Sequence, residues 1–292
     1  MNLKLTNPKT IKSIAEQFGF TFKKGLGQNF LTSEAVLDEI ADAAECDGGG
    51  VLEIGPGFGV LTRALSERAE KVVSLEIDER LIEVLKYTLS DRRNVTVKNR
   101  DVLKTDLKSL ISEEFGGEKI SVAANLPYYI TTPIITKLLE GGLPLKNIVV
   151  MVQKEVADRL CAKPASKDYG AITLLCRYFS EPEIITNVPA GLFVPPPKVD
   201  SAVLRLRLLD KPRVDVSDEK IFFKTVKAAF SQRRKTLLNC MSAYFSLDKG
   251  VLSAALEEIS IDPKRRGETL SIEEFAAAAD MTARLTGADG QK

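Results

Sequence analysis

Val51-Leu52-Glu53-Ile54-Gly55-Pro56-Gly57-Phe58-Gly59 decides the fold. A short apolar run breaks into a turn with glycine at alternate positions, and Leu61, Ala64 and Leu65 then recur at helical spacing. Strand, glycine-rich turn and helix open a nucleotide-binding βαβ unit, in which the backbone must approach a ligand closely. The dinucleotide fingerprint Gly-x-Gly-x-x-Gly requires glycine at position 60, where this chain has valine.

The strands that follow carry acids where such a unit needs them. Lys71–Ser74 runs through Leu75 into Glu76, about 20 residues beyond the first glycine, where a carboxylate can accept from both ribose hydroxyls. A third strand beginning at Val95 leads to Asp101, which either accepts from an adenine amine or caps a helix at Val102-Leu103. Glu-x-Gly-x-Gly-x-Gly over Glu53–Gly59, followed by these two acids, is similar to S-adenosylmethionine-dependent methyltransferases. A fourth strand, Ile120–Ala124, delivers Asn125-Leu126-Pro127-Tyr128 to the edge where open α/β sheets bind ligands. Asn offers a carbonyl acceptor, proline stiffens the turn and tyrosine presents a flat face, although the same residues also serve ordinary turns.

Outward from this centre, Ile11, Ile14, Ala15 and Phe18 predict a helix over 8–20. Lys23-Lys24-Gly25-Leu26-Gly27-Gln28-Asn29 is a polar loop, either a solvated basic turn or a lid beside an anionic or cofactor-bearing site. Thr32 or Ser33 then caps a helix through Val36, Leu37 and Ile40. A helix starts at Thr131-Thr132-Pro133, a fifth strand spans 148–152, and Gln153 to Arg159 is helical. In the proline-stiffened loop 188–201, Phe193 is either presented at a pocket or plugs the core. Val203–Leu208 alternates as a last half-exposed strand, and beyond Lys211-Pro212 the patterning is helical only.

Bulk properties narrow the chemistry. The 292 residues carry a net charge of +1, so affinity for nucleic acid must come from local clusters. Lys220 to Asn239 holds six basic residues and no acid, and Lys264-Arg265-Arg266 forms a second basic knot. The absence of acids beside Arg233-Arg234-Lys235 favours a phosphate-backbone contact over a merely solvated face. Histidine is absent, which excludes imidazole acid–base catalysis, histidine metal ligation and Ser-His-Asp hydrolysis. Cys46, Cys161, Cys176 and Cys240 are scattered, so no disulfide framework and no metal site is expected. No apolar run suits a bilayer and Met1-Asn2-Leu3-Lys4 does not read as a signal peptide; a cytoplasmic, membrane-free protein is expected.

Taken together, Gly27–Leu31, Glu53–Gly57, Asn125–Tyr128, Phe193–Ser201, Ser231–Leu237 and Arg265–Glu268 resemble the bacterial small-subunit ribosomal RNA adenine N6-dimethyltransferases, in order and along nearly the whole chain. The resemblance implies an α/β fold: a Rossmann-like methyltransferase sheet with helices on both faces, plus a small all-helical C-terminal domain. It divides the chain into an N-terminal arm and cofactor lid (1–31), the methyltransferase domain (32–210) and an RNA-binding helical domain (211–292). It implies that Asn29, Leu31, Gly55, Gly57, Glu76, Asp101 and Asn125 hold S-adenosylmethionine. The substrate it implies is two adjacent adenosines in the 3′-terminal hairpin of 16S rRNA, within the 30S subunit or its precursor, modified by a monomer. The expected target-base site is Asn125, Leu126, Pro127 and Tyr128, with Phe193 on the base's other face. Lys23, Lys24, Lys224, Lys227, Arg233, Arg234, Lys235, Arg265 and Arg266 are the expected RNA contacts. Some relatives carry histidine in the segment aligned with Leu26–Asn29; its absence here implies no catalytic need for it. Two alternatives stay open: a 23S rRNA adenine methyltransferase, and an assembly factor whose methylation is secondary.

Overall fold

A computed structural model describes residues 3–21, 29–232 and 234–287. Lys23, Lys24 and Arg233, among the expected RNA contacts, lie outside the described residues. The chain forms two compact units, Met1–Ala157 with Glu181–Leu208, and Asp158–Ser180 with Leu209–Lys292.

In the first unit, α1 (Pro8–Gln17) is capped by Asn7, whose side chain accepts from the Lys9 N–H, and Gly19 ends the segment at φ +61°. β1 (Phe30–Leu31) leads into α2 (Glu34–Ala44), where Ser33 is the cap: its Oγ accepts from the Val36 N–H at 3.4 Å. Then β2 (Gly50–Ile54), α3 (Val60–Ser66), β3 (Lys71–Glu76), α4 (Arg80–Thr88), β4 (Val95–Asn99), α5 (Leu107–Phe115) and β5 (Ile120–Asn125) alternate. α6 (Thr131–Glu140), β6 (Leu145–Gln153) and α7 (Lys154–Leu160) follow, and β7 (Ser180–Val188), β8 (Phe193–Val194) and β9 (Ser201–Leu208) complete the strands.

Seven strands form one sheet in the order β4-β3-β2-β5-β6-β9-β7. The first five are parallel, and β9 runs antiparallel to β6. Val51, Leu52, Val122, Ala123 and Ala124 are fully buried, the signature of central parallel strands covered on both faces. The apolar stripe Val36, Leu37, Ile40, Ala41 and Ala44 of α2 supplies part of that cover. Separately, β1 and β8 make an antiparallel pair, with Phe30 opposite Val194 and Leu31 opposite Phe193.

The second unit is helical: α8 (Ala171–Phe179), α9 (Glu219–Ala229), α10 (Leu237–Phe245), α11 (Lys249–Glu258) and α12 (Ile272–Thr286). Phe222 of α9, Met241 of α10 and Phe275 of α12 are fully buried in its core, where Tyr178 of α8 stacks on Phe222 at 4.8 Å. Asp218, Thr236, Asp248 and Ser271 cap α9 to α12, and Ser271 with Glu274 forms a reciprocal capping box. A single cut after residue 210 therefore does not describe the chain. α8 precedes the last strands in sequence but packs with the C-terminal helices, because its buried stripe joins Phe222 and Phe275.

Candidate functional site

Strand order reverses direction at β2: the chain moves outward to β3 and β4, then returns to place β5 on β2's other side. Ligands of open α/β sheets bind in the crevice at the carboxyl ends of strands flanking such a reversal. Ile54 pairs with both Leu75 and Ala124, and Glu76 with Asn99, so Gly55, Glu76, Arg100 and Asn125 emerge at one level. They line a cavity of about 280 Å³, close to the small end of the roughly 300–1,000 Å³ usual for ligand sites. Asn29, Leu31, Gly57, Asp101 and Pro127 line the same cavity.

The glycine turn is shaped by backbone demands. Gly55, Gly57 and Gly59 have φ of +71°, +59° and +83°, a region that penalises any side chain. A Cβ at Gly57 would lie 2.7 Å from the Phe30 ring, whereas one at Gly55 meets nothing within 4 Å, so the space before Gly55 is open to a ligand. Phe58 anchors the turn from below, edge-on to Phe20 at 5.4 Å and to Phe30 at 4.8 Å.

Glu76 is 5% exposed, and burial raises its pKa above the ordinary value against the pull of its hydrogen bonds. One oxygen accepts from the Asp78 N–H at 2.8 Å and the other from the Gly57 N–H at 3.2 Å. A carboxylate has about four acceptor positions, so these bonds orient Glu76 while leaving capacity for hydroxyls. Asp101 is placed where a cavity role is open to it, and it caps a turn where the sequence suggested a helix. It lines the cavity, and its Oδ1 also accepts from the Leu103 N–H at 2.9 Å to cap a turn, α5 beginning only at Leu107.

Asn125 ends β5, and its Nδ2 donates to the Asn29 carbonyl at 3.0 Å. A carbonyl cannot donate in return, so the amide is oriented with Oδ1 as its remaining acceptor. Leu126 is 1% exposed and its N–H donates to the Met151 carbonyl, so its side chain belongs to the core. Tyr128 is half-buried, does not line this cavity, and has its hydroxyl 3.0 Å from Ser201 Oγ. Tyr129, which the sequence reading passed over, does line it.

Phe193 departs from the expected stacking role. It is 3% exposed, paired with Leu31 through β8, and joins the core cluster that contains Phe30 and Phe58. The Pro-rich loop buries this ring under the cavity wall instead of presenting it. Loop and wall are further joined by Thr32, whose N–H and Oγ1 both donate to the Leu192 carbonyl, at 2.9 and 2.8 Å.

Glu53, beneath the glycine turn, is 1% exposed. Its Oε2 accepts from Thr62 Oγ1 at 2.6 Å and Ser74 Oγ at 2.7 Å, tying β2 to α3 and β3, while Oε1 is buried without a partner among the described residues. Burial lifts its pKa to about 7 despite the two hydroxyl donors.

Among the basic residues, Lys224, Lys227, Arg234 and Lys235 are exposed, and none has an ion pair among the described residues. Lys220, Lys224 and Lys227 share one face of α9. Arg265 departs from the expected RNA role. Its guanidinium grips Glu274 through both terminal nitrogens and donates to the Thr269 carbonyl and hydroxyl, so most of its hydrogen-bonding capacity is used inside the fold. Arg266 is more open, with Glu268 at 4.0 Å.

The profile of the family described as ribosomal RNA adenine dimethylase matches residues 19–283. The chain belongs to that family. Proteins named ribosomal RNA small subunit methyltransferase A from Bacillus mycoides (strain KBAB4) and Bacillus cereus (strain AH187) are each 53% identical over 281 residues, covering 94% of this chain and 96% of theirs. Among solved structures, a dimethyladenosine transferase from Plasmodium falciparum is 27% identical with a TM-score of 0.74, over 88% of this chain and 98% of that one. The 23S rRNA methyltransferase ErmE is 28% identical with a TM-score of 0.67, over 87% of this chain and 99% of its own.

Family membership agrees with the donor set of the cavity. A buried carboxylate at β3, a second at the end of β4 and an open approach to the Gly55 backbone fit a nucleoside bearing a polar tail. Two features in and beneath the cavity escaped the sequence reading. Glu53 was read only as part of a motif, although its type at a strand centre signals a paired or buried acid. Tyr129 stood next to the singled-out Tyr128 with nothing local to separate them.

Proposed function

We propose that this chain transfers methyl groups from S-adenosylmethionine to the N6 atoms of two adjacent adenosines in the 3′-terminal hairpin of 16S rRNA. The observation that carries the reading is the Asn125 amide, oriented by Asn29 so that an acceptor is left beside the cavity. The bound donor supplies a methyl group on a positively charged sulfur. Glu76 accepts from ribose hydroxyls, Asp101 from the adenine amine of the donor, and the Gly55–Gly57 turn lets the backbone approach its polar tail.

An adenine exocyclic amine is a weak nucleophile because its lone pair is delocalised into the ring. Asn125 Oδ1 and the Leu126 carbonyl accept from this amine, favour the pyramidal geometry of attack and stabilise positive charge growing on nitrogen. Tyr128, its hydroxyl held by Ser201, supplies the face on which the target base stacks. The alkylated nitrogen is acidic and gives its proton to water, so no histidine is needed. Alignment carries most of the rate, up to roughly 7–11 kcal/mol for a well-oriented pair. A second transfer meets a nitrogen with one hydrogen left, and rotation about the C6–N bond or rebinding precedes it.

Exposed Lys224, Lys227, Arg234, Lys235 and Arg266, with Lys23, Lys24 and Arg233, contact rRNA phosphates. The enzyme acts in the cytoplasm, as a monomer, on the 30S subunit or its precursor. Relatives named for the small subunit, at 53% identity, favour this target over 23S rRNA. Labelled donor incubated with immature 30S particles, 50S particles and naked RNA tests the reading. Label in adenosines of 16S rRNA in the 30S arm is the expected result; label in the 50S arm alone assigns the chain to 23S rRNA.

A further inference from the structure

Residues 127–130 make a single turn, closed by the Ile130 N–H donating to the Pro127 carbonyl at 3.2 Å. The turn carries two consecutive tyrosines in opposite surroundings. Tyr128 is half-buried and tethered through its hydroxyl to Ser201. Tyr129 is 61% exposed, lines the cavity, and its side chain has no hydrogen bond or ring contact among the described residues. Ile77 and Leu103, at 61% and 38% exposure, line the same cavity just beyond Glu76 and Asp101. The rim therefore presents apolar faces, and among the described residues no other aromatic ring is stacked on its tyrosine.

An aromatic ring left in water at a cavity rim offers a flat ligand a stacking surface without first having to break an internal contact. Three flat groups compete for it: the adenine of the donor, the base being methylated, and that base's neighbour. In the proposed placement the donor's ribose would be held by Glu76 at the end of β3 and its adenine by Asp101, just beyond β4. Tyr129 follows β5, which stands on the opposite side of β2 in the sheet order. The methylated base is held by Asn125 and the fixed ring of Tyr128. Successive Cα atoms are about 3.8 Å apart, so adjacent tyrosines directed to different surroundings suit adjacent bases.

We infer that Tyr129 is a specificity-determining residue that stacks on the nucleobase next to the adenine being methylated, so that the paired tyrosines read a dinucleotide. The inference rests on the proposed placement of the target base at Asn125 and Tyr128. It bears on a substrate of two neighbouring adenosines: with one adenosine on Tyr128 the other lies on Tyr129, and a shift of one nucleotide brings that second adenosine to Tyr128 and the next base along to Tyr129.

The test uses the full chain with two sets of small-subunit particles, whose 16S rRNA carries 2-aminopurine in place of one or the other of the two adenosines; the set whose probe is quenched on binding the wild-type chain is the one read. This fluorescent adenine isomer has no N6 amine, so the remaining adenosine is the only target and the probe reports on its neighbour. Stacking quenches the probe. With Tyr129→Ala, fluorescence of the bound probe rises and KM for particles increases ~5- to 150-fold, the range of one base–aromatic stack. kcat and affinity for S-adenosylmethionine stay within about twofold, and Tyr129→Phe behaves as wild type. Tyr129→Leu, which keeps apolar bulk without an aromatic face, reproduces the Ala result and guards against a fold defect. Absence of quenching by the wild-type chain in both sets, unchanged quenching in the Ala and Leu variants, or loss of donor affinity in place of particle affinity overturns the inference. Failure of the wild-type chain to methylate any 16S adenosine would instead remove the underlying reading.

Discussion

The Asn125 side chain donates to the main-chain carbonyl of Asn29, 96 residues earlier, at 3.0 Å. One hydrogen bond thus joins two walls of the cavity and orients the amide proposed to act on the target base. Asn125→Ala removes both effects, and methyl transfer should fall roughly 100- to 1,000-fold in kcat, as when one preorganised polar partner is deleted. Asn125→Asp keeps an acceptor but sets a carboxylate against the Asn29 carbonyl, and should recover little of the loss. Single-turnover transfer beside RNA-binding measurements checks both; wild-type turnover in the Ala variant would sink the acceptor role.

Glu76 is expected to govern donor affinity rather than chemistry. Glu76→Ala removes a charged acceptor, worth about 1.5–3 kcal/mol per bond, and frees the Gly57 and Asp78 N–H groups. Calorimetry with S-adenosylmethionine should record a roughly 10- to 150-fold weaker Kd. Glu76→Gln retains one carbonyl and should fall between.

Glu53 gives the protein a pH dependence of defined sign. Its folded pKa, about 7, lies above the ordinary 4.5, so its stabilising contribution is complete below about pH 4.5 and is lost as pH rises through 7. At 1.36 kcal/mol per unit, the loss approaches about 3 kcal/mol by pH 8. Glu53→Gln keeps a carbonyl for Thr62 and Ser74 but cannot ionise. Denaturation from pH 5 to 8 should show wild type losing stability relative to this variant; parallel curves would mean the carboxyl titrates normally.

Gly57→Ala meets both a positive φ and the Phe30 ring. A cost of about 1–3 kcal/mol is expected for a non-glycine residue held there. Phe30→Leu should recover the steric part, leaving the backbone part, in a double-mutant cycle read by thermal unfolding.

The two basic segments should separate cleanly. Replacing Lys224, Lys227 and Lys235 by glutamine should leave folding intact and make the log–log salt dependence of RNA binding shallower by about 2–3. Arg265→Ala should instead lower stability, by about 1–3 kcal/mol, because it breaks the Glu274 and Thr269 bonds. If Arg265→Ala alters only the salt slope, the internal grip is not its role.

The central βαβ run was legible because its periodicities are local: apolar strands, alternating glycines and acids at strand ends each occupy a few residues. α8 was not, since Ala171-Ile172-Thr173-Leu174-Leu175-Cys176 is apolar on nearly every position and fits a buried strand as well as a helix. Its union with the C-terminal helices depends on Tyr178 meeting Phe222, a contact no local pattern announces. Phe193 failed for the same reason: its burial follows from pairing with Leu31, far away in sequence. Arg265 looked like its neighbours in a basic knot until the fold brought Glu274 against it. By contrast the cap at Thr32 or Ser33 was legible, and the fold selects Ser33, because a cap and its target N–H are three residues apart.

The β1–β8 pair has a consequence for the order in which the protein becomes competent during synthesis. Asn29 and Leu31 are made early, but the strand that sets them, Phe193–Val194, and the Leu192 carbonyl that holds Thr32 are made some 160 residues later. A nascent chain that has already produced every strand from β2 to β6 still lacks the clasp on this wall of the cavity. Capture of the donor thus waits on a late, long-range closure, slow in the way non-local pairing is slow. Chains arrested before residue 194 should hold a well-formed sheet edge and still be unable to methylate.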